Sequence, residues 1–282
     1  MQKPQVETST SGLRGDYAGA GPDYVVDQRL KDYTPEEHAL WRTLYTRQSA
    51  LMQDYASAEF RAGLALLDAG DGIPDFAAAS RRLSGKTGWT LVAVPGFIPD
   101  DVFFSHLAAR RFPVTRWLRM PEEIDYLVEP DVFHDFFGHV PMLTDPVFAD
   151  FLQLYGRLGE QALALGALKM LARLYWYTVE FGLIRTNEGL RSYGAGILSS
   201  AGETVYCIQS QTPQRVAFDV ERVMRTNYMI DSFQKTYFVI DGTAQLFDAL
   251  RTTDFAALYR QYRDEPGYAP DAQVPGDRRI HI

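Results

Sequence analysis

The segment Glu129–Leu143 reads EPDVFHDFFGHVPML and holds His134 and His139, two of the five histidines in the chain. Neutral imidazole is the commonest side-chain metal ligand, and two rings in so short and apolar a setting point to a transition-metal site. The spacing also constrains the backbone. Ligands four apart on an α-helix, as in a zinc-protease helix, lie roughly 40° apart on one face, whereas a step of five separates them by roughly 140°. A straight helix would aim the two rings apart, so a local bulge, or a break near Gly138, is expected to bring them together.

Glu180 offers a third ligand. From Ala162 to Ile184 the chain is apolar almost all round, as in a helix buried on most faces, and Glu180 sits in it without an adjacent basic residue. An ionised carboxylate there either takes up a proton or finds a cation. Two histidines and one carboxylate make the facial triad of non-haem Fe(II) oxygenases, which leaves coordination positions open for reactants. Competing signatures fail. HExxH and CxxCH are absent, and Phe136 stands where a His-x-Asp oxygenase pattern needs an acid. Gly85-Lys86-Thr87 lacks the earlier glycine of a phosphate loop, its place being taken by Ser80; Gly194-Ala195-Gly196 lacks the third glycine of a dinucleotide fingerprint, its place being taken by Ser199. Asp135, between the histidines, is read either as an acid that orients bound water or as a solvated helix residue.

The elements that must position these residues are mostly helical. Thr34-Pro35-Glu36-Glu37 is a capping box with proline at the first helical position, and Leu40, Trp41, Leu44, Tyr45, Leu51, Met52 and Tyr55 follow at a helical period. Further helices are expected up to Gly70, from Pro74 to Leu83, from Asp100 or Asp101 to about Arg110, from Asp145-Pro146 to about Leu163, and over Arg215–Arg225, Ala244–Arg251 and Phe255–Tyr262. Thr90–Ile98 reads as a strand broken at Pro95 and Gly96, and Ser192–Ile197, Thr204–Ile208 and Thr236–Ile240 as short strands. The expected fold class is therefore mainly α with a small β-sheet, in a single domain. Residues 1–24 read as a flexible N-terminal segment, 25–265 as the catalytic domain and 266–282 as a polar C-terminal tail.

Composition narrows the function classes. A net charge of −8 and the lack of a basic stripe argue against nucleic acid, and no uncharged apolar run approaches the roughly 18 residues of a membrane span. The N-terminus lacks the apolar core of a signal peptide, and one cysteine, Cys207, excludes an internal disulfide framework, so a cytoplasmic location is expected.

Three blocks, EPDVFHDFFGHVPML, LYWYTVEFGL (Leu174–Leu183) and SYGAGILSSAGE (Ser192–Glu203), resemble in order and interval those of the pterin-dependent aromatic amino acid hydroxylases, most of all the bacterial, phenylalanine-hydroxylating members. A weaker likeness runs from about Tyr33 to about Tyr262. The resemblance implies hydroxylation of L-phenylalanine to L-tyrosine with O2, Fe(II) and a tetrahydropterin, with His134, His139 and Glu180 as catalytic metal ligands. It implies that Arg119 forks onto the substrate carboxylate, that Trp176 walls the aromatic ring, and that Pro130 and Ser199 line or support that pocket. Gly96, Phe97 and Ile98 match the pterin-binding loop, Phe103 the ring that stacks on the pterin, with Phe104 adjoining it, and Tyr175 a neighbour of iron and pterin. A tryptophan hydroxylase of the same fold and a non-catalytic metal-binding regulatory protein are the alternatives. Vertebrate members of the family add a sensor domain and an oligomerising helix, and neither a segment of ~50 residues before the first helix nor a heptad seam after Pro266 is visible, so a monomer binding only small molecules is expected.

Overall fold

The computed structural model describes residues 13–125, 127 and 129–281. Its elements run α1 (Pro35–Tyr55), α2 (Ala58–Leu67), α3 (Phe76–Ser84), β1 (Thr90–Val94), α4 (Asp100–Ala108) and β2 (Arg111–Thr115). A π-helix (Phe133–His139) follows, then α5 (Pro146–Ala164), α6 (Leu168–Tyr175) and a second π-helical turn (Trp176–Glu180). The chain continues with β3 (Leu183–Thr186), β4 (Gly189–Ser192), α7 (Ala195–Leu198), α8 (Ala201–Gln209), β5 (Gln214–Ala217), α9 (Val220–Met224), β6 (Thr236–Ile240), α10 (Thr243–Thr252) and α11 (Phe255–Tyr262). The fold is mainly α, and its strands divide between two small sheets: a parallel pair β1-β2, and a mixed sheet in the order β4-β3-β6-β5.

Local chemistry sets the helix ends. Thr34 accepts from the Glu37 amide while Glu37 reaches back to the Thr34 amide, the reciprocal box foreseen from the sequence. Asp145 caps α5 by accepting from Val147 and Phe148. The core is aromatic at its centre: the ring of Phe133 stacks on Phe137 at 4.9 Å, and Trp41 meets Phe133 edge-on at 5.3 Å. Burying rings of this size supplies much of the apolar stabilisation and anchors the first π-helix from behind.

Several expected elements change type. Thr204–Ile208 lies in helix α8, because Ser200 accepts from the Glu203 amide and nucleates a turn that outweighs the β-branched content. Ser192–Ile197 is divided between the end of β4 and the short helix α7, and Arg215–Arg225 between strand β5 and helix α9, which Asp219 caps. The expected strand Thr90–Ile98 ends at Val94, and β2 escaped notice because Pro113 stands inside it; among the described residues it is an edge strand paired with β1 alone, and an edge tolerates a missing amide.

The described parts of both end segments are also fastened. Residues 1–12 of the segment expected to be flexible lie outside the described residues, but its remainder does not trail: Arg14 bonds to Glu123 and Glu129, and the Tyr17 hydroxyl donates to the Phe97 carbonyl. The C-terminal segment expected to be a polar tail runs beside β5, with Ile280 donating to the Arg215 carbonyl and Asp277 pairing with buried Arg222.

Candidate metal centre

The first π-helix answers the spacing problem of the two histidines. Hydrogen bonding from residue i to i+5 brings side chains five apart nearly over one another, so His134 and His139 face the same point without a break in the helix. Gly138 serves instead for close approach, since a Cβ there would lie 2.9 Å from the Ala195 carbonyl oxygen. Asp131, fully buried, accepts from the His134 amide at 2.9 Å and so holds the entry to this helix.

Glu180 ends the second π-helical turn, in which the Phe181 amide bonds to the Trp176 carbonyl five residues back at 2.8 Å. The carboxylate reaches His139 Nε2 at 3.1 Å and His134 Nε2 at 3.6 Å, and the two imidazole Nε2 atoms stand 3.3 Å apart. Burial disfavours the imidazolium form of His139, yet the Glu180 carboxylate, by charge and hydrogen bond, together with Asp135 outweighs it and raises its pKa. Burial likewise opposes ionisation of Glu180, and the two imidazoles with the Gly196 amide outweigh that and lower its pKa. Both directions describe a pocket that favours positive charge at one point between three donor atoms.

The tautomer of His134 follows from its neighbour. Ser199 Oγ donates its single proton to the Ala195 carbonyl at 2.8 Å, so it accepts from Nδ1–H of His134 at 2.9 Å. The Nε2 lone pair of His134 is thereby left facing Glu180 and His139. Two imidazole nitrogens and one carboxylate around a common point are the donor set of an Fe(II) facial triad, and the residues present fit that ion. Asp135 stands close to both histidines, and its carboxylate accepts from the Thr115 amide at 2.7 Å. Burial raises its pKa against the pull of the two imidazoles.

These groups sit in a cavity of about 210 Å³ lined by His134, His139 and Glu180 together with Gly96, Phe97, Ile98, Phe103, Pro130 and Tyr175. Phe103 meets Tyr175 edge-on at 5.6 Å, whereas Phe104 is buried against Tyr155 of α5, so of the two adjacent rings it is Phe103 that lines the cavity. A larger groove of about 810 Å³ between α9 and α10 carries Asp219, Glu221, Asp241 and Asp248 but no histidine, and lies apart from this chemistry.

Three residues singled out from the sequence stand outside the lining of the cavity. Ser199 acts through His134, as just described. Trp176 stacks on Tyr228 at 4.3 Å and lies 5.0 Å from Phe181. Arg119 is buried against Asp131, to which its Nε and Nη2 donate at 2.8 and 2.9 Å. Asp131 and Tyr228 were missed. An aspartate three residues before His134 is a helix-entry signal that could have revealed Asp131, but Tyr228 lies too far along the chain for any local pattern to find it.

Residues 17–265 match the family described as biopterin-dependent aromatic amino acid hydroxylase. The chain is 58% identical over 256 residues to the phenylalanine-4-hydroxylase of Chromobacterium violaceum, covering 90% of this chain and 86% of that one. Among solved structures it resembles the iron- and phenylalanine-bound phenylalanine hydroxylase of the same organism, with a TM-score of 0.88, 54% identity and coverage of 96% and 97%. It also resembles that enzyme with bound iron(III) and oxidised 7,8-dihydrobiopterin, with a TM-score of 0.89, 54% identity and coverage of 99% and 100%.

Proposed function

The chain belongs to the biopterin-dependent aromatic amino acid hydroxylases, and on that premise we propose that it hydroxylates L-phenylalanine to L-tyrosine with O2, Fe(II) and a tetrahydropterin. The observation that carries this reading is the convergence of His134, His139 and Glu180 on one point of a cavity whose other wall is formed by Gly96–Ile98 and Phe103.

Each part of the chain then has a task. His134, His139 and Glu180 hold the iron, and Ser199 keeps His134 in the tautomer that binds it. Gly96, Phe97 and Ile98 receive the pterin, with Phe103 and Tyr175 beside it. Bound Fe(II) and reduced pterin supply the activation of O2. Arg119, fixed on one edge by Asp131, makes no hydrogen bond through Nη1 among the described residues, and this edge is proposed to take the substrate carboxylate. Trp176, held by its stack on Tyr228, and Pro130 wall the substrate ring. The apolar lining keeps water from the reacting atoms.

Residues 25–265 are assigned to the catalytic domain, and a cytoplasmic monomer is proposed. No helix among the described residues is long and apolar enough to cross a membrane. Turnover tests the reading. The protein is loaded anaerobically with Fe(II), given O2 and tetrahydrobiopterin with phenylalanine or tryptophan, and the products are separated by chromatography. Tyrosine from phenylalanine is expected; hydroxylation of tryptophan alone would move the assignment within the family, and no product from either would remove it. Light scattering across protein concentration tests the monomer, which a stable higher species would contradict.

A further inference from the structure

The loop that joins β1 to α4 carries Gly96, Phe97 and Ile98, yet its backbone is poorly secured from within. Among the described residues, no backbone–backbone hydrogen bond involves residues 95–98. One hydrogen bond does reach this stretch, from the Tyr17 hydroxyl to the Phe97 carbonyl at 3.1 Å. It comes from the N-terminal segment.

The contact between the two segments is intimate. Gly15 has φ +126°, and a Cβ on it would fall 2.1 Å from the Pro95 carbonyl oxygen. A Cβ on Gly96 would fall 2.7 Å from Tyr17 Oη and 2.9 Å from the Arg14 carbonyl oxygen. Neither position has room for a side chain, so the backbones meet directly. On its other side the segment grips the opposite rim of the cavity. The Arg14 amide donates to both carboxylate oxygens of Glu129 at 3.2 Å, next to the cavity-lining Pro130, and Arg14 Nη1 pairs with Glu123 at 2.6 Å. The Arg14 guanidinium lies 4.8 Å over the Trp117 ring, and Asp16 pairs with Arg116 at 3.6 Å.

We infer that Arg14–Tyr17 is a strap that ties the Gly96–Ile98 loop to the Glu129–Pro130 rim, and that Arg14 and Tyr17 are positioning residues for binding of the pterin. The inference rests on the pterin reading of that loop. An irregular loop with no backbone ladder must be ordered when its ligand binds, and fastening it beforehand lowers that ordering cost and raises affinity. Among the described residues no hydrogen bond or ion pair joins Arg14–Tyr17 to the iron ligands or to Arg119, so its effect falls mainly on the loop it fastens.

Calorimetric titration of 7,8-dihydrobiopterin into iron-loaded protein tests this, with amide hydrogen exchange over residues 96–98 followed in parallel. The double variant Arg14→Ala/Tyr17→Phe removes the side-chain fastenings of Arg14 and Tyr17, leaving the Asp16–Arg116 pair, without demanding a new backbone conformation. It is expected to weaken pterin binding by roughly fivefold to tenfold and to speed exchange in the loop, while iron content stays within about twofold and phenylalanine affinity changes less than pterin affinity. Gly15→Ala is expected to act in the same direction, because its new methyl group displaces Pro95. Wild-type protein that takes up no dihydrobiopterin overturns the pterin reading and the strap with it. Equal binding by the wild type and the double variant overturns the strap alone.

Discussion

Ser199 and His134 are linked by a hydrogen bond whose direction is settled by a third group. The Ser199 proton points to Ala195, so toward His134 Nδ1, 2.9 Å away, the hydroxyl can only accept. Removing it frees the ring to turn and to change tautomer. Ser199→Ala is therefore expected to weaken iron affinity by about 10–100-fold, the range typical of groups that orient metal-binding histidines. Competition with a chelator measures this, and an unchanged affinity would refute the orienting role.

Glu180→Ala removes the one negative charge among the three converging donors. Bound iron should fall sharply and tyrosine formation nearly cease, with far-UV circular dichroism preserved because the aromatic core behind the first π-helix is untouched. A Glu180→Ala protein that holds one iron per chain and turns over normally would exclude this carboxylate as a ligand.

Arg119→Lys keeps a positive charge but loses the planar fork that meets Asp131 on one edge. The KM for phenylalanine should rise by roughly 10–100-fold, in keeping with hydrogen bonds to charged groups, while pterin affinity changes little. Initial rates with each reactant varied in turn give the two values. An unaltered phenylalanine KM would put Arg119 outside the substrate site.

Glu203 gives a prediction about pH. It is buried, accepts from Tyr237 Oη at 2.6 Å and from the Gln234 amide at 3.1 Å, and has no cationic partner among the described residues. Burial pushes its pKa up from 4.5 to about 7, the two hydrogen bonds opposing. Between those values the folded chain holds more protons than the unfolded one, so this group's stabilising contribution is complete below 4.5 and is lost as pH rises through 7. At about 1.4 kcal/mol per pK unit the loss amounts to roughly 3 kcal/mol. Glu203→Gln stays neutral and escapes it, so urea unfolding should show the variant gaining on the wild type from pH 5 to pH 7.5; parallel curves would count against the raised pKa.

The sequence made the ligands legible because their chemistry is local. Two imidazoles in an apolar run and a carboxylate in an apolar helix each signal a cation by themselves, and a step of five already required something other than an α-helix. The supporting residues were harder to read. Asp131 carried a local helix-entry signal but its hold on Arg119 did not show in any pattern, and no period or motif encodes a stack between Tyr228 and Trp176. Thr204–Ile208 was misread because β-branched content was given more weight than Ser200 three residues before Glu203, a helix-start pattern. Arg14–Tyr17 was misread for the opposite reason: its glycine and polar side chains look like loose chain, but here they serve close contact and pairing.

The first π-helix makes the number of residues between His134 and His139 a structural quantity in its own right. Deleting one residue from that interval would let the backbone relax into an ordinary α-helix with ligands four apart, and in doing so would turn the aromatic ring set by roughly 100° out of its seat against Trp41 and Phe76. An insertion would turn it the other way. Side chains within the interval can be exchanged one for another at a graded loss, but its length behaves as a discrete variable: this stretch tolerates editing of letters and not of spacing.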